Sequence, residues 1–302
     1  MPQTAATDEY EENGIKLRVY NCETGEESTR IFHTSGTVPM ETELISASSF
    51  GNDDGGISTN AIIGSEDRVQ ITNTNAAPYQ YTCYMYSVYK DGTKSGVYSG
   101  FMVGAKAAVT AAHCVFDGKS TLEHVVVIPG KNGGTEPYGS AKSIKVAITS
   151  EYMSNEDKAD DWAIIELNWN IGYQSKWPAL KYKSGSYNGT SVENTGYPGK
   201  SKWFTLQNEE STLMFSGKGT IKYSEERDQF GSGRGILKGD WDATGGNSGG
   251  PVFAYYPETG YTVIGILTSG SSDDGNSYGN NTYYTLATRI SSAMYELFMS
   301  YC

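Results

Sequence analysis

The sequence predicts an all-β fold closed by a single C-terminal helix. Short runs rich in Val, Ile, Tyr and Thr recur along the chain, separated by Gly, Asn, Asp and Lys with no helical pattern between them, as in sandwiches and barrels. Glycine occurs 36 times and proline 9 times, and 23 Tyr stand against 9 Phe, which favours turn-rich β structure carrying amphipathic aromatics. At 302 residues the chain exceeds the common single-domain size, so two compact units are expected.

Residues 1–60 form a polar leader ending in the loop-like tract "SSFGNDDGGISTN", a stretch open to proteolysis. The leader holds 11 Asp/Glu and 3 Lys/Arg, so most of the overall net charge of -12 resides there. From about residue 61 the texture changes. Strand-like runs follow in "YQYTCYMYSVY", "SGFMVGAKAAVTAAHC", "HVVVIPG", "SIKVAIT" and "WAIIEL". The same spacing resumes at "TSVENTGYP", "GKGTIKYS", "GPVFAYY" and "YTVIGILTSG". Only the end differs: in "LATRISSAMYELFMS", Ile290, Met294, Leu297 and Phe298 recur at helical spacing and predict a closing helix.

Several function classes are disfavoured. The acidic balance argues against nucleic acid, whose phosphates require clustered Lys and Arg. No stretch approaches the ~20 apolar residues of a membrane span. The start "MPQTAATDEYEE" has no apolar run able to act as a secretory signal. Cys22, Cys83, Cys114 and Cys302 show no CxxC spacing, which weighs against zinc, and their pairing is left unassigned. "DGKS" and "PGKS" lack the upstream glycine of a phosphate loop. Three scattered histidines without HExxH give no catalytic metal site, and no cofactor is expected. The loops "GNDDGG" and "SSDDGN" are read as solvated turns, with structural calcium as the alternative.

The chemistry concentrates in "GGNSGGPV", residues 245–252, where four glycines surround Ser248. A nucleophilic hydroxyl must meet a carbonyl while backbone N–H groups face the oxyanion that forms, and flanking side chains would obstruct that approach. Gly246 and Ser248 are the expected N–H donors. "GNSGG" also fits the nucleophile elbow of α/β-hydrolases, but there the histidine follows the serine. Here His33, His113 and His124 all precede Ser248. His113, in "AVTAAHCV", stands where an apolar strand runs into a small-residue turn and is the expected general base. A neutral histidine base needs a buried carboxylate to fix its tautomer. "DDWAIIEL" supplies Asp160 and Asp161, with Asp161, abutting the strand, preferred.

"TAAHC", "DWAIIEL" and "GNSGGPV" resemble the signature segments of chymotrypsin-like serine peptidases, and the chain is most similar within that clan to bacterial glutamyl endopeptidases, the V8-like group. The resemblance covers most of residues 61–290 and includes "IIGSEDRVQITNTNAAPY", "PGKNGGTEPYGS", "TGYPGK" and "LATRI". It implies two six-stranded antiparallel barrels, residues 61–175 and 176–302, with His113, Asp161 and Ser248 in the cleft between them and an oxyanion hole from Gly246 and Ser248. Residues 1–60 then read as a propeptide cleaved between Asn60 and Ala61, the uncut chain being much less active. A secreted monomer acting on protein or peptide substrates is the implied whole. The competing class is a protease-like fold used only for binding, as in an adhesin or toxin.

The sequence departs from the family where specificity is set. The histidine and threonine that bind a substrate glutamate fall on Leu267 and Ala243, and burying an ionised carboxylate against those side chains would cost several kcal/mol. Asp242 stands where trypsin-like enzymes carry their selector for Lys and Arg, yet the Asn60–Ala61 junction has no basic residue for such an enzyme to cut after. Thr268, Ser269 and Gly270 are the expected strand for pairing with substrate backbone. The usual disulfide partner of the cysteine after the histidine falls on Tyr98, so Cys114 lacks that bridge.

Overall fold

A computed structural model of the chain describes residues 14–33, 42–44, 63, 65–116, 121–199, 212–226, 234–271 and 284–302. The junction at Asn60 and Ala61 lies outside the described residues, as do "GNDDGG" and nearly all of "SSDDGN". Three strands belong to the leader: β1 (Gly14–Asn21), β2 (Glu27–His33) and β3 (Thr42–Leu44). The short β4 (Val69–Gln70) precedes the first barrel.

That barrel consists of β5 (Thr82–Tyr89), β6 (Tyr98–Gly104), β7 (Ala107–Thr110), β8 (Leu122–Pro129), β9 (Ala141–Thr149) and β10 (Ala163–Leu167). It closes because β10 pairs antiparallel with both β7 and β9. Three short helices, α1 (Ala112–Val115), α2 (Ser150–Asn155) and α3 (Gly172–Ser175), occupy its connections. After β11 (Ala179–Leu180) the second barrel follows: β12 (Ser191–Gly196), β13 (Phe215–Glu226), β14 (Gly235–Gly239), β15 (Pro251–Tyr256), β16 (Gly260–Ser271) and β17 (Tyr284–Arg289). Pairing of β16 with β17 closes it. The chain ends in α4 (Ser292–Met299). Two six-stranded antiparallel barrels and a closing helix are thus present as expected.

The first-barrel strands read as almost continuous apolar runs because both of their faces are covered. Met102, Ala108, Val146, Ile148, Ala163 and Ile165 fill the barrel interior. Their neighbours Phe101, Val103, Val109, Ala147 and Ile164 pack outward in a second core. A period of two sends alternate residues to opposite faces, and here each face meets another apolar layer. α4 supplies part of that outer layer: Met294, Leu297 and Phe298 are buried there, and Phe298 meets Trp162 edge to face at 5.4 Å. The Ser291 hydroxyl caps the helix by accepting from Met294 N–H at 3.2 Å. The chain's end therefore straps the first barrel.

The leader supplies another part. β1 pairs with β9 from Leu17↔Thr149 to Asn21↔Lys145, whereas β8 pairs with β9 only at Ala141 and Lys142. β1 thus takes the length of β9 that β8 leaves free, and Leu17 and Val19 enter the outer core at 4% and 5% exposure. No described helix is long and apolar enough to cross a membrane.

Candidate active site

β7 ends at Thr110 and the chain turns at once into α1, which carries His113. The register Ala163↔Thr110 brings the residues just before β10 alongside those just after β7, and this sets Asp161 beside His113 across 48 residues of sequence. The His113 ring Nδ1 lies 2.9 Å from Asp161 Oδ2 and 3.1 Å from Oδ1, and the His113 backbone N–H donates to Oδ1 at 3.0 Å. Asp161 is fully buried. An ionised carboxylate can only accept, so Nδ1 carries the proton and Nε2 is left as an acceptor. Nε2 is buried and has no hydrogen-bond partner among the described residues.

Burial alone would raise the Asp161 carboxyl, but the His113 ring, Lys158 and the His113 backbone N–H outweigh it and hold it below its ordinary value. Lys158 Nζ stands 3.5 Å from Asp161 Oδ2. For the His113 imidazole, burial acts downward, yet the Asp161 charge prevails and the net shift is well above 6.5. Asp160 faces elsewhere: Arg234 clasps it and also reaches Asp157 at 3.4 Å.

Ser248 lies in the loop between β14 and β15, 5% exposed. This loop is pinned from several sides. Gly199 N–H donates to Gly245 O at 2.6 Å, Ser99 N–H to Ser248 O at 2.8 Å, and Ser99 Oγ to Gly246 O at 2.7 Å. In a trans peptide the C=O and the following N–H point opposite ways. With Gly245 O turned toward Gly199, the Gly246 N–H faces away from that loop. Neither Gly246 N–H nor Ser248 N–H donates a hydrogen bond among the described residues, leaving both available to an oxyanion.

The glycines around Ser248 are there for geometry. Gly246 has φ +92°, and a Cβ on it would lie 2.4 Å from Tyr197 O. Gly249 has φ +82°, and its Cβ would lie 2.1 Å from Thr110 Oγ1 and 2.9 Å from Ala111 N. Side chains are excluded at both positions by conformation and by contact. The Gly249 contact also places the serine loop against the stretch that leads into His113.

Asp242 is 2% exposed, and its carboxylate accepts from Ile63 N–H at 2.7 Å and Asp67 N–H at 3.3 Å. Its position is thus satisfied from within the chain; burial moves its pKa upward despite those two N–H groups. Ala243 and Leu267, 1% and 2% exposed, pack together with Trp241, Val252 and Ile264 in the core of the second barrel. Pairing of β15 with β16 ends at Pro251↔Ile266, whereas Ser269 and Gly270 pair with β17. Among the described residues, Thr268, Ser269 and Gly270 therefore carry a strand partner on at most one side, as an edge that accepts an extended peptide requires.

The four cysteines are free, with Cys22 Sγ 3.1 Å from Ser143 Oγ. Among the described residues no cluster of three or more His, Cys, Asp or Glu could hold a metal ion. Sequence reasoning did not foresee Ser99, nor the contacts of Ile63, Asp67 and Arg68 with the serine loop. The charged triplet Glu66-Asp67-Arg68, placed just ahead of a strand and among the resembling residues, was the available signal.

Two closed six-stranded antiparallel barrels joined in this order are the chymotrypsin fold. The chain belongs to the trypsin family, whose model, described as Trypsin, matches residues 71–295. It is 30% identical over 245 residues to a glutamyl endopeptidase of Bacillus licheniformis, spanning 79% of this chain and 68% of that relative. A Bacillus subtilis protein named extracellular metalloprotease is 26% identical over 238 residues, 78% of this chain and 68% of its own. Among solved structures, a Glu endopeptidase in complex with MPD superposes with a TM-score of 0.61 at 20% identity, covering 80% of this chain and 98% of that one.

Proposed function

We propose that the chain is a secreted serine endopeptidase, made as a zymogen, in which Ser248 is the nucleophile, His113 the general base and Asp161 its orienting carboxylate. The observation that carries this reading is the His113 ring, held through Nδ1 by a buried Asp161 and close to the loop that carries Ser248; among the described residues its Nε2 has no hydrogen-bond partner and the Gly246 and Ser248 N–H groups donate no hydrogen bond. Ser248 Oγ attacks the scissile carbonyl as Nε2 takes its proton. The carbonyl oxygen becomes an oxyanion facing the two N–H groups, and the imidazolium is stabilised by Asp161. His113 then protonates the leaving amine, and water repeats the sequence to release the acid.

The substrate backbone adds as a strand to Thr268, Ser269 and Gly270. The S1 pocket takes an uncharged side chain, since Ala243 and Leu267 offer a glutamate nothing to hydrogen-bond and the Asp242 carboxylate is already occupied by Ile63 and Asp67. Maturation by cleavage between Asn60 and Ala61 fits this arrangement, because Ile63, two residues on, binds Asp242. Secretion is supported by the extracellular relative in Bacillus subtilis, and the enzyme acts as a monomer.

The test is P1 profiling of the processed protein on a peptide library, with Ser248→Ala as control. Cleavage after uncharged residues, absent in the variant, is expected. A dominant preference for Glu, Lys or Arg overturns the specificity, and equal cleavage by Ser248→Ala overturns the mechanism.

A further inference from the structure

We infer that Arg68 is a positioning residue that holds the loop bearing Gly246 and Ser248 in its oxyanion-binding form; this rests on the peptidase reading above. The Arg68 side chain is entirely buried, and Glu66 takes its charge through Nε at 2.7 Å and Nη2 at 2.5 Å. Such a bidentate pair is the favourable way to bury a guanidinium. It leaves Nη1 for other work: this atom donates to Thr244 Oγ1 at 2.8 Å and to Asn247 Oδ1 at 3.0 Å.

Those two acceptors bracket the peptide that supplies the oxyanion donor. Thr244 and Asn247 already close the turn between them, through Asn247 N–H to Thr244 O at 3.0 Å and Thr244 N–H to Asn247 Oδ1 at 3.2 Å. Arg68 grips both ends of that turn from outside, and Gly245-Gly246 is what lies between. Glycine peptides rotate easily, so a turn built on two of them needs external restraint to keep one N–H facing the cleft. Ile63 and Asp67 add to the restraint by binding Asp242, immediately upstream of the turn. The segment following the proposed junction is thereby tied to the geometry of the nucleophile loop.

The experiment compares processed wild type with Arg68→Met, Arg68→Lys and Thr244→Val, using the acyl-tripeptide p-nitroanilide whose P1 residue the wild type cuts best. Arg68→Met should lower kcat by about 30-fold with KM changed less than about threefold, part of the loss seen when an oxyanion donor is removed. Arg68→Lys should recover some of that rate. A peptide aldehyde, whose adduct places an oxyanion at the site, should weaken in proportion to kcat, while the matching peptide amide binds as before. Should Arg68→Met fail to fold, Thr244→Val serves in its place, with an expected loss of about fivefold in kcat for one hydrogen bond. A kcat within twofold of wild type for the folded variants, or an equal loss of amide binding, overturns the role of Arg68. Wild-type protein that cuts nothing overturns the peptidase reading instead.

Discussion

The leader hairpin is part of the first barrel's core, and truncating its two buried apolar side chains shows by how much. In the double variant Leu17→Ala, Val19→Ala, both side chains leave an outer core that also contains Phe101, Val103, Ala147 and Phe298. A buried Leu→Ala costs about 2–5 kcal/mol, and the two methyl groups lost from Val19 add about 1.6 kcal/mol at about 0.8 per group. The sum, about 4–7 kcal/mol, is a large part of the roughly 5–15 kcal/mol that holds a typical protein folded. At about 2–4 °C per kcal/mol for a chain of this size, the melting temperature should fall by about 8–28 °C. Circular dichroism on the full chain measures it. A fall below about 2 °C would refute the claim that the hairpin is built into the core. By the same reasoning, cleavage after Asn60 should leave residues 14–33 bound, and they should copurify with the processed enzyme.

Four further outcomes are expected. Asp161→Asn offers His113 Nδ1 an amide N–H in place of an acceptor, which forces the ring proton onto Nε2; kcat/KM at pH 8 should fall about 10⁴-fold, as for other such pairs, and a loss under tenfold would contradict the assignment. Because Asp161 raises the His113 pKa, the neutral base is lost as pH falls through a value above 6.5, so the acid limb of kcat/KM should have its midpoint above 6.5. Lys158→Met removes the cation that offsets the Asp161 charge, so this limb should move to higher pH; no movement, or movement to lower pH, would contradict that role for Lys158. Restoring polar groups to the pocket with Ala243→Thr and Leu267→His should raise cleavage after Glu relative to an uncharged residue by about tenfold or more, measured on paired p-nitroanilides.

Much of this was legible in the sequence because barrel strands obey local rules. Apolar runs such as "AKAAVTAAHC" and "WAIIEL" declare buried strands, and the glycines of "GGNSGG" declare a turn that side chains would obstruct. Met294, Leu297 and Phe298 mark the helix by spacing alone; Ile290, read as the start of the same face, lies just ahead of α4, and all four are buried. What escaped depends on contacts between distant residues. The leader's "GIKLRVYN" does alternate apolar and polar residues, but its acidic surroundings masked a strand whose partner, β9, lies well over a hundred residues away. Asp242 reads as a pocket selector by position; only the approach of Ile63 and Asp67, 179 and 175 residues distant, gives its carboxylate another partner. The role of Arg68 escaped for the same reason: the triplet Glu66-Asp67-Arg68 marks a charged cluster, but the acceptors Thr244 and Asn247 belong to the other end of the chain.

In the proposed mechanism an imidazole primed by Asp161 activates Ser248. A fluorophosphonate probe reports this directly, because it phosphonylates only a serine so activated. The processed protein should be labelled once, peptide mapping should find the adduct on Ser248, and His113→Ala should reduce the labelling rate about a thousandfold or more. Labelling elsewhere, or none at all on processed folded protein, would contradict it.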